Sequence, residues 1–137
     1  MEKASLRKLL REKAGALKPR ERLRRSRAIL KELLSHPRFS QARSVLTYVA
    51  LASEVETRPL LEEALKRGKK VYVPRVDPET QEIAVIEIQN LKELQPGAYG
   101  ILEPPFDPGQ IGKPEDLDLA VIPGVGFDRG GGRLGRG

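Results

Sequence analysis

The stretch from Ser44 to Val76 reads SVLTYVALASEVETRPLLEEALKRGKKVYVPRV, and it contains one strand, helix, strand unit. Its first part, Ser44 to Ala50, is rich in β-branched and aromatic residues, which favours a buried strand. Thr57 is placed to cap a following helix, and Gly68 lies at the C-terminal end of that helix. A second strand follows from Lys70 to Pro74. Because this spacing favours a parallel pair joined by a right-handed crossover, the stretch predicts an α/β fold.

Further elements are predicted on both sides of this unit. Apolar residues at helical spacing predict one helix from Ser5 to Leu17 and a second that starts at Pro19 and ends before the SHP sequence. Strands are predicted at Glu82–Ile88, at the edge of the sheet, and at Leu117–Ile122. Residues 94–116 contain five prolines and four glycines, so we expect a crossing loop there. The prediction is one three-layer, Rossmann-like domain over residues 1–137, with a mainly parallel sheet and helices on both faces.

Composition narrows the class of protein. Of the 137 residues, 39% are hydrophobic and 32% are charged, and no apolar run approaches the length of about 20 residues that crosses a bilayer. The absence of cysteine excludes disulfides, thiolate chemistry and cysteine-based zinc sites. No signal peptide is visible at the N-terminus. We therefore expect a cytoplasmic, monomeric protein without a membrane partner.

The positive charge is concentrated in the N-terminal third. Residues 1–43 hold 14 Lys and Arg against 4 Asp and Glu, a net charge of +10, whereas the other 94 residues carry −4. Such a surface can attract nucleic acid or a small polyanion such as a nucleotide, or it can be a solvated helix face. Aromatic residues make up only 4% of the chain and no recognition motif accompanies the charge, so a nucleic-acid-binding protein is the weaker alternative.

Two segments carry residues suited to binding a flat heterocycle. Glu54 and Glu56 follow the first predicted strand, and a carboxylate at this edge of the sheet can accept hydrogen bonds from an amino-heterocycle. The alternative is that both acids lead the next helix and complement its dipole. Tyr99, between glycines in the crossing loop, can stack on a ring or simply pack at the surface.

A third segment suggests phosphate binding. The sequence PGVGFDRGGGRLGRG ends at Gly137, and seven of the fourteen residues from Gly124 onward are glycine. Backbone N–H groups in such a loop can cradle phosphate oxygens, and Arg133 and Arg136 can add charge-assisted contacts. The segment matches neither the P-loop pattern nor the dinucleotide-binding fingerprint, so alone it is a weak signal.

Four pieces in this order resemble one family, the 5-formyltetrahydrofolate cyclo-ligases, also called methenyltetrahydrofolate synthetases. The pieces are KASLR, EVETRPLLEEALKRGKKVYVPR, YGILEP and DLAVIPGVGFDRGGGRLGRG. The resemblance implies a NagB/RpiA/CoA-transferase-like fold and an enzyme of folate one-carbon metabolism. It implies that 5-formyltetrahydrofolate is cyclised to 5,10-methenyltetrahydrofolate, that ATP and Mg²⁺ are used, and that the formyl oxygen is first phosphorylated to an iminophosphate.

The resemblance also implies roles for individual residues. Lys3 and Arg7, which share a helix face, correspond to positions that reach the nucleotide phosphates. The start of the ATP loop corresponds to five residues: Arg133, Leu134, Gly135, Arg136 and Gly137. Arg133 and Lys3 are the implied catalytic residues. Glu54 matches the acid that holds the pterin, Val49 and Tyr99 match positions beside the folate, and Tyr48 is a weaker candidate for the same wall.

The sequence departs from the family pattern after the loop. In the family this loop continues into a segment with two tyrosines and a Mg²⁺-binding aspartate, which would lie beyond Gly137. Asp118 and Asp128 are not expected to replace that ligand. The expectation is that the 137 residues are part of a longer protein or a shortened form with impaired turnover. A protein that binds nucleotide or folate without catalysis is therefore the second alternative.

Overall fold

The computed structural model describes residues 2–77, 79–97 and 100–136, which form a mixed α/β structure. The helices are α1 (Lys3–Gly15), α2 (Pro19–Leu34), α3 (Pro37–Gln41) and α4 (Arg58–Lys66). The strands are β1 (Ser44–Thr47), β2 (Lys70–Val76), β3 (Ile83–Ile88), β4 (Gln95–Pro96), β5 (Leu102–Glu103), β6 (Leu119–Val121), β7 (Gly126–Phe127) and β8 (Arg133–Leu134). No helix in the described ranges is long and apolar enough to span a membrane.

Four strands form the central sheet, in the order β3-β2-β1-β6. Strand β1 runs parallel to both of its neighbours, with Val45 paired to Val71 on one side and to Leu119 on the other. Strand β3 lies antiparallel to β2 at the edge of the sheet. The α/β class and the mainly parallel sheet predicted from the sequence are therefore confirmed.

The core lies on one face of this sheet. Val45, Val71 and Val73 are completely buried there, and Leu60 and Leu61 of α4 pack against them. Helices α2 and α3 add further apolar side chains to the same core. On the opposite face, the ring of Tyr72 packs against the loop at Gly112. A second layer of helices on that face stays a prediction.

Strand β1 ends earlier than the predicted range Ser44–Ala50. The reason is Thr57, whose hydroxyl donates to the carbonyl oxygen of Tyr48 at 2.9 Å and accepts the Ala50 N–H at 3.0 Å. Thr57 does stand at the N-terminal cap position of α4, but its side chain does not cap the helix. The residue predicted as a cap instead bends the chain away from the sheet.

Helix α3 was not predicted. It has only five residues, too few for a periodic pattern, although Pro37 occupies its first turn. The ring nitrogen Nδ1 of His36 accepts the Arg38 N–H at 3.0 Å and caps the helix. Phe39, which is fully buried, fixes this short helix to the core. Helix α1 was predicted from Ser5 to Leu17 and is shifted by two residues toward the N-terminus.

Candidate functional site

A cavity of about 640 Å³ lies where the segments that follow β1 and β6 meet α1 and α2. Because β1 and β6 are parallel neighbours, both segments leave the sheet at the same edge. Most lining side chains are apolar, and exposed Ile29, Ile122 and Phe127 are among them. Glu54 and Arg136 place opposite charges on the same wall. The cavity therefore combines apolar area with a few polar groups, as ligand pockets do.

Glu54 and Glu56 have different partners. Glu54 Oε1 accepts the Leu51 N–H at 2.8 Å, and Glu54 Oε2 lies 3.5 Å from Arg136 Nη1. The Glu56 carboxylate accepts the Arg58 N–H at 2.9 Å, at the start of α4. Glu54 thus pairs with the glycine-rich segment, whereas Glu56 leads the helix. The binding of a heterocycle by Glu54 stays a prediction.

A buried serine also fixes this acidic segment, and sequence reasoning missed it. Ser26 of α2 is 4% exposed, and its Oγ accepts the Glu56 N–H at 3.0 Å. The contact ties the segment after β1 to α2. A serine inside an otherwise amphipathic helix was the available signal, since a buried hydroxyl needs a partner.

Tyr48 lies on the cavity wall beside the acids. Its hydroxyl donates to the Val55 carbonyl oxygen at 3.1 Å. Burial, with the nearby carboxylates of Glu54 and Glu56, raises the pKa of Tyr48 to about 12. Tyr48 is therefore a neutral hydrogen-bond donor at physiological pH. Val49, also predicted beside the folate, is half-buried and packs against the hydrophobic core, and it is not among the residues that line this cavity.

The glycine-rich segment folds into a hairpin rather than an open loop. Strands β7 and β8 pair antiparallel, with Gly126 opposite Leu134 and Phe127 opposite Arg133. At the turn, Asp128 Oδ1 accepts the N–H groups of Gly130 and Gly132, at 2.9 and 2.7 Å. Two of the N–H groups predicted to cradle phosphate are thus used inside the turn.

Helix α1 holds the end of this hairpin. Arg7 Nε donates to the Gly135 carbonyl oxygen at 2.9 Å, and Arg11 donates to that of Arg136. Leu10 packs so closely on Gly126 that a Cβ atom there would lie 2.5 Å from its Cδ1. Arg11 was not predicted, although it follows Arg7 by four residues and so shares its helix face.

The other residues of the predicted ATP site are placed as follows. Arg133 Nε donates to the Pro123 carbonyl oxygen at 2.7 Å, and its guanidinium lies over Gly135. The structure therefore brings Arg7, Arg133 and Arg136 to one end of the hairpin. Lys3 is exposed, one helical turn before Arg7.

Two predicted site residues, Tyr99 and Gly137, lie outside the described residues. The loop that contains Tyr99 is fixed on its C-terminal side. Glu103 lies 3.8 Å from Arg75, and Arg75 Nη1 donates to the Pro104 carbonyl oxygen at 2.6 Å. Because Arg75 is near the carboxyl end of β2, these contacts bring the loop to the edge of the sheet that carries Glu54.

No metal site forms among the described residues, since no three His, Asp or Glu side chains cluster there. Asp118 Oδ2 accepts the N–H groups of Arg43 and Ser44, at 2.8 and 3.2 Å. Asp128 is committed to the hairpin turn. Both aspartates therefore accept hydrogen bonds from backbone N–H groups. That neither replaces a metal ligand stays a prediction.

Comparison with known proteins identifies the family and agrees with the fold. The sequence profile of the 5-formyltetrahydrofolate cyclo-ligase family matches residues 1–137. The NMR structure of Aquifex aeolicus 5,10-methenyltetrahydrofolate synthetase is 37% identical and superposes with a TM-score of 0.87, covering all of this chain and 68% of that one. The resemblance and the fold class inferred from the sequence are thereby confirmed.

Two curated relatives carry the same name as the family. The mouse 5-formyltetrahydrofolate cyclo-ligase is 28% identical over 146 residues, which cover 98% of this chain and 69% of the mouse protein. The mitochondrial 5-formyltetrahydrofolate cyclo-ligase of Arabidopsis thaliana is 32% identical over 150 residues, which cover 99% of this chain and 54% of that protein. The chain thus spans little more than half of the Arabidopsis relative and about two thirds of the mouse one.

Proposed function

Because the chain belongs to the 5-formyltetrahydrofolate cyclo-ligase family, we propose that it catalyses the ATP-dependent cyclisation of 5-formyltetrahydrofolate to 5,10-methenyltetrahydrofolate, with release of ADP and phosphate. One observation carries the proposal. The acid predicted to hold the pterin, Glu54, and an arginine of the predicted ATP loop, Arg136, lie 3.5 Å apart on the wall of one cavity. A reaction that transfers a phosphoryl group from one substrate to the other needs both binding sites to be adjacent.

On the folate side, the carboxylate of Glu54 accepts hydrogen bonds from the amino-heterocycle. A charged acceptor suits this role, because hydrogen bonds to a carboxylate are shorter and stronger than those to a neutral oxygen. The apolar wall and the rim residues Ile29 and Phe127 cover the flat ring system. Tyr48, whose hydroxyl donates to the Val55 carbonyl oxygen, closes the same wall. Val49, which follows Tyr48 in the sequence, and Tyr99 are the other residues of the proposed folate set.

On the nucleotide side, the phosphates bind at the end of the hairpin. Arg7, Arg133 and Arg136 supply positive charge there, and Leu134, Gly135 and Gly137 supply backbone. Lys3 and Arg133 are proposed to neutralise charge that develops during phosphoryl transfer. The hydrogen bond from Arg133 to Pro123 uses only Nε, so the two Nη groups stay available for phosphate oxygens.

The proposed reaction balances as two displacements. The formyl oxygen attacks the γ-phosphorus of ATP and ADP leaves. N10 then attacks the formyl carbon, and phosphate departs with the former formyl oxygen and the N10 proton as the ring closes. The chain's contribution is to orient the two substrates and to stabilise negative charge. Mg²⁺ is included on the resemblance, but the described residues offer it no cluster of ligands, so no step is assigned to it. The proposal also treats the protein as a cytoplasmic monomer.

The test is the appearance of methenyltetrahydrofolate absorbance from 5-formyltetrahydrofolate and Mg·ATP. We expect product formation that requires ATP and yields one ADP per product. Loss of product in the Arg133→Ala variant, but not in the Arg129→Ala variant, would tie the turnover to this site. Folate and nucleotide binding with no product would instead favour the non-catalytic alternative.

A further inference from the structure

We propose that Arg136 couples the two ligands: it occupies Glu54 when folate is absent, and folate binding releases it for the nucleotide. This inference rests on the proposed function, since it needs folate at Glu54 and phosphates at the hairpin. The pair of residues would then act as a displaceable link inside one site. It makes the arrival of one substrate favour the binding of the other.

Both carboxylate oxygens of Glu54 already have a partner. Its side chain is 16% exposed, and Oε1 already accepts the Leu51 N–H. Oε2 carries the ion pair with Arg136. A donor group of an incoming heterocycle that binds at Oε2 therefore has to share it with this arginine or displace the arginine.

Only the side chain of Arg136 has to move when folate binds. The backbone at Gly135 and Arg136 is fixed to α1 by hydrogen bonds from Arg7 and Arg11. The Arg136 side chain is 43% exposed, so after displacement its guanidinium can turn without being buried. A rotation on a fixed backbone carries the charge from the acid toward the end of the hairpin, where Arg7 and Arg133 lie.

The strength of the Glu54–Arg136 ion pair sets the size of the coupling between the two ligands. Partly exposed ion pairs contribute little to stability, and breaking one costs about two- to fivefold in an equilibrium constant. Folate that binds without nucleotide must break the ion pair between Glu54 and Arg136. Folate that binds after the nucleotide finds Arg136 already released. Since coupling between two ligands is reciprocal, folate must tighten nucleotide binding by the same factor.

Calorimetry tests this with 5-formyltetrahydrofolate and a non-hydrolysable ATP analogue, each titrated alone and with the other present. For the wild-type protein we expect each ligand to tighten the other about two- to fivefold. The Arg136→Ala variant should bind folate alone about two- to fivefold tighter than wild type, and the coupling should vanish.

The matched control is Arg129→Ala, which removes the same charge from the exposed turn of the same hairpin. It should bind and couple like the wild type, and thermal unfolding should show that both variants fold. Independent binding of the two ligands to the wild type would overturn the inference and leave the proposed function intact. So would an Arg136→Ala variant whose folate affinity is no higher than that of the control. If the wild type binds neither ligand, the proposed function fails as well.

Discussion

Asp128 and Gly132 close the hairpin turn through two reciprocal hydrogen bonds. The Gly132 N–H donates to Asp128 Oδ1 at 2.7 Å, and the Asp128 N–H donates to the Gly132 carbonyl oxygen at 3.1 Å. The three consecutive glycines of this turn would otherwise be costly to order. Asp128 therefore supplies an internal acceptor that fixes a sequence with high conformational freedom.

Replacing Asp128 by Ala should loosen the turn. Two backbone N–H groups lose their acceptor, so we expect the free energy of unfolding to fall by roughly 1 kcal/mol. Amide exchange at Gly130 and Gly132 should become faster. Asp128→Asn is the control, because it keeps an acceptor oxygen and should retain most of the stability. Equal destabilisation by both variants would mean that the charge, not the hydrogen bonds, fixes the turn.

Glu54 and Arg133 should affect different substrates. Glu54→Gln removes the charged acceptor, and we expect the folate dissociation constant to rise roughly tenfold or more. Nucleotide binding should not weaken, because the substitution also releases Arg136. Arg133→Ala should do the reverse, because it removes a charged donor from the hairpin. Titration of each variant with each ligand measures both effects. Similar losses for both ligands in both variants would contradict the assignment of two subsites.

Arg11 should act on nucleotide binding through the backbone. Its side chain donates to the Arg136 carbonyl oxygen, so Arg11→Ala frees the end of the hairpin from α1. We expect the KM for ATP to rise about two- to fivefold, more than the KM for folate, with the thermal midpoint nearly unchanged. Lys8→Ala, on an exposed part of the same helix, is the control for lost positive charge. A similar rise in that variant would point to general electrostatic attraction.

Tyr48 should make stability depend on pH only in the alkaline range. Its pKa is raised from 10.0 to about 12, so the folded state binds the phenolic proton more tightly than the unfolded state does. This contribution is fully present below pH 10 and is lost as the pH rises toward 12. Unfolding by urea from pH 8 upward measures it. The difference between wild type and Tyr48→Phe should be constant at first and then shift against the wild type; a constant difference throughout would contradict the raised pKa.

The sheet could be predicted because its signals are local. The unit from β1 to β2 is marked by Pro59 at the start of α4 and by Gly68 after it, which adopts a φ of +78° that favours glycine. The short helix α3 could not be found by periodicity, and only the proline after His36 indicated it. The end of β1 depends on a hydroxyl seven residues beyond Ala50. Such a side-chain contact is not encoded in any local pattern.

The residues of the candidate site could be named from the sequence, but most of their contacts could not. Glu54 and Arg136 were both named from the sequence, but their ion pair joins residues that only the fold brings together. Arg7 was expected to reach phosphates, and the structure shows its Nε already bound to a backbone carbonyl. The hairpin itself had a signal, because a glycine-containing turn between Phe127 and Leu134 is typical of one. The binding of phosphate by the same segment stays a prediction.

The contact between Arg7 and Gly135 spans 128 positions in the sequence. Long-range contacts of this kind form slowly, because closing a long loop costs conformational entropy before the contact can offset it. Helix α1 leads the described chain, yet its partner in this contact is close to the last described residue. During synthesis on the ribosome the chain grows from its N-terminus, so α1 is made before the hairpin. Its basic face stays uncovered until the hairpin has been made. We expect this contact, and with it the nucleotide side of the proposed site, to form after the sheet that lies between the two partners in the sequence.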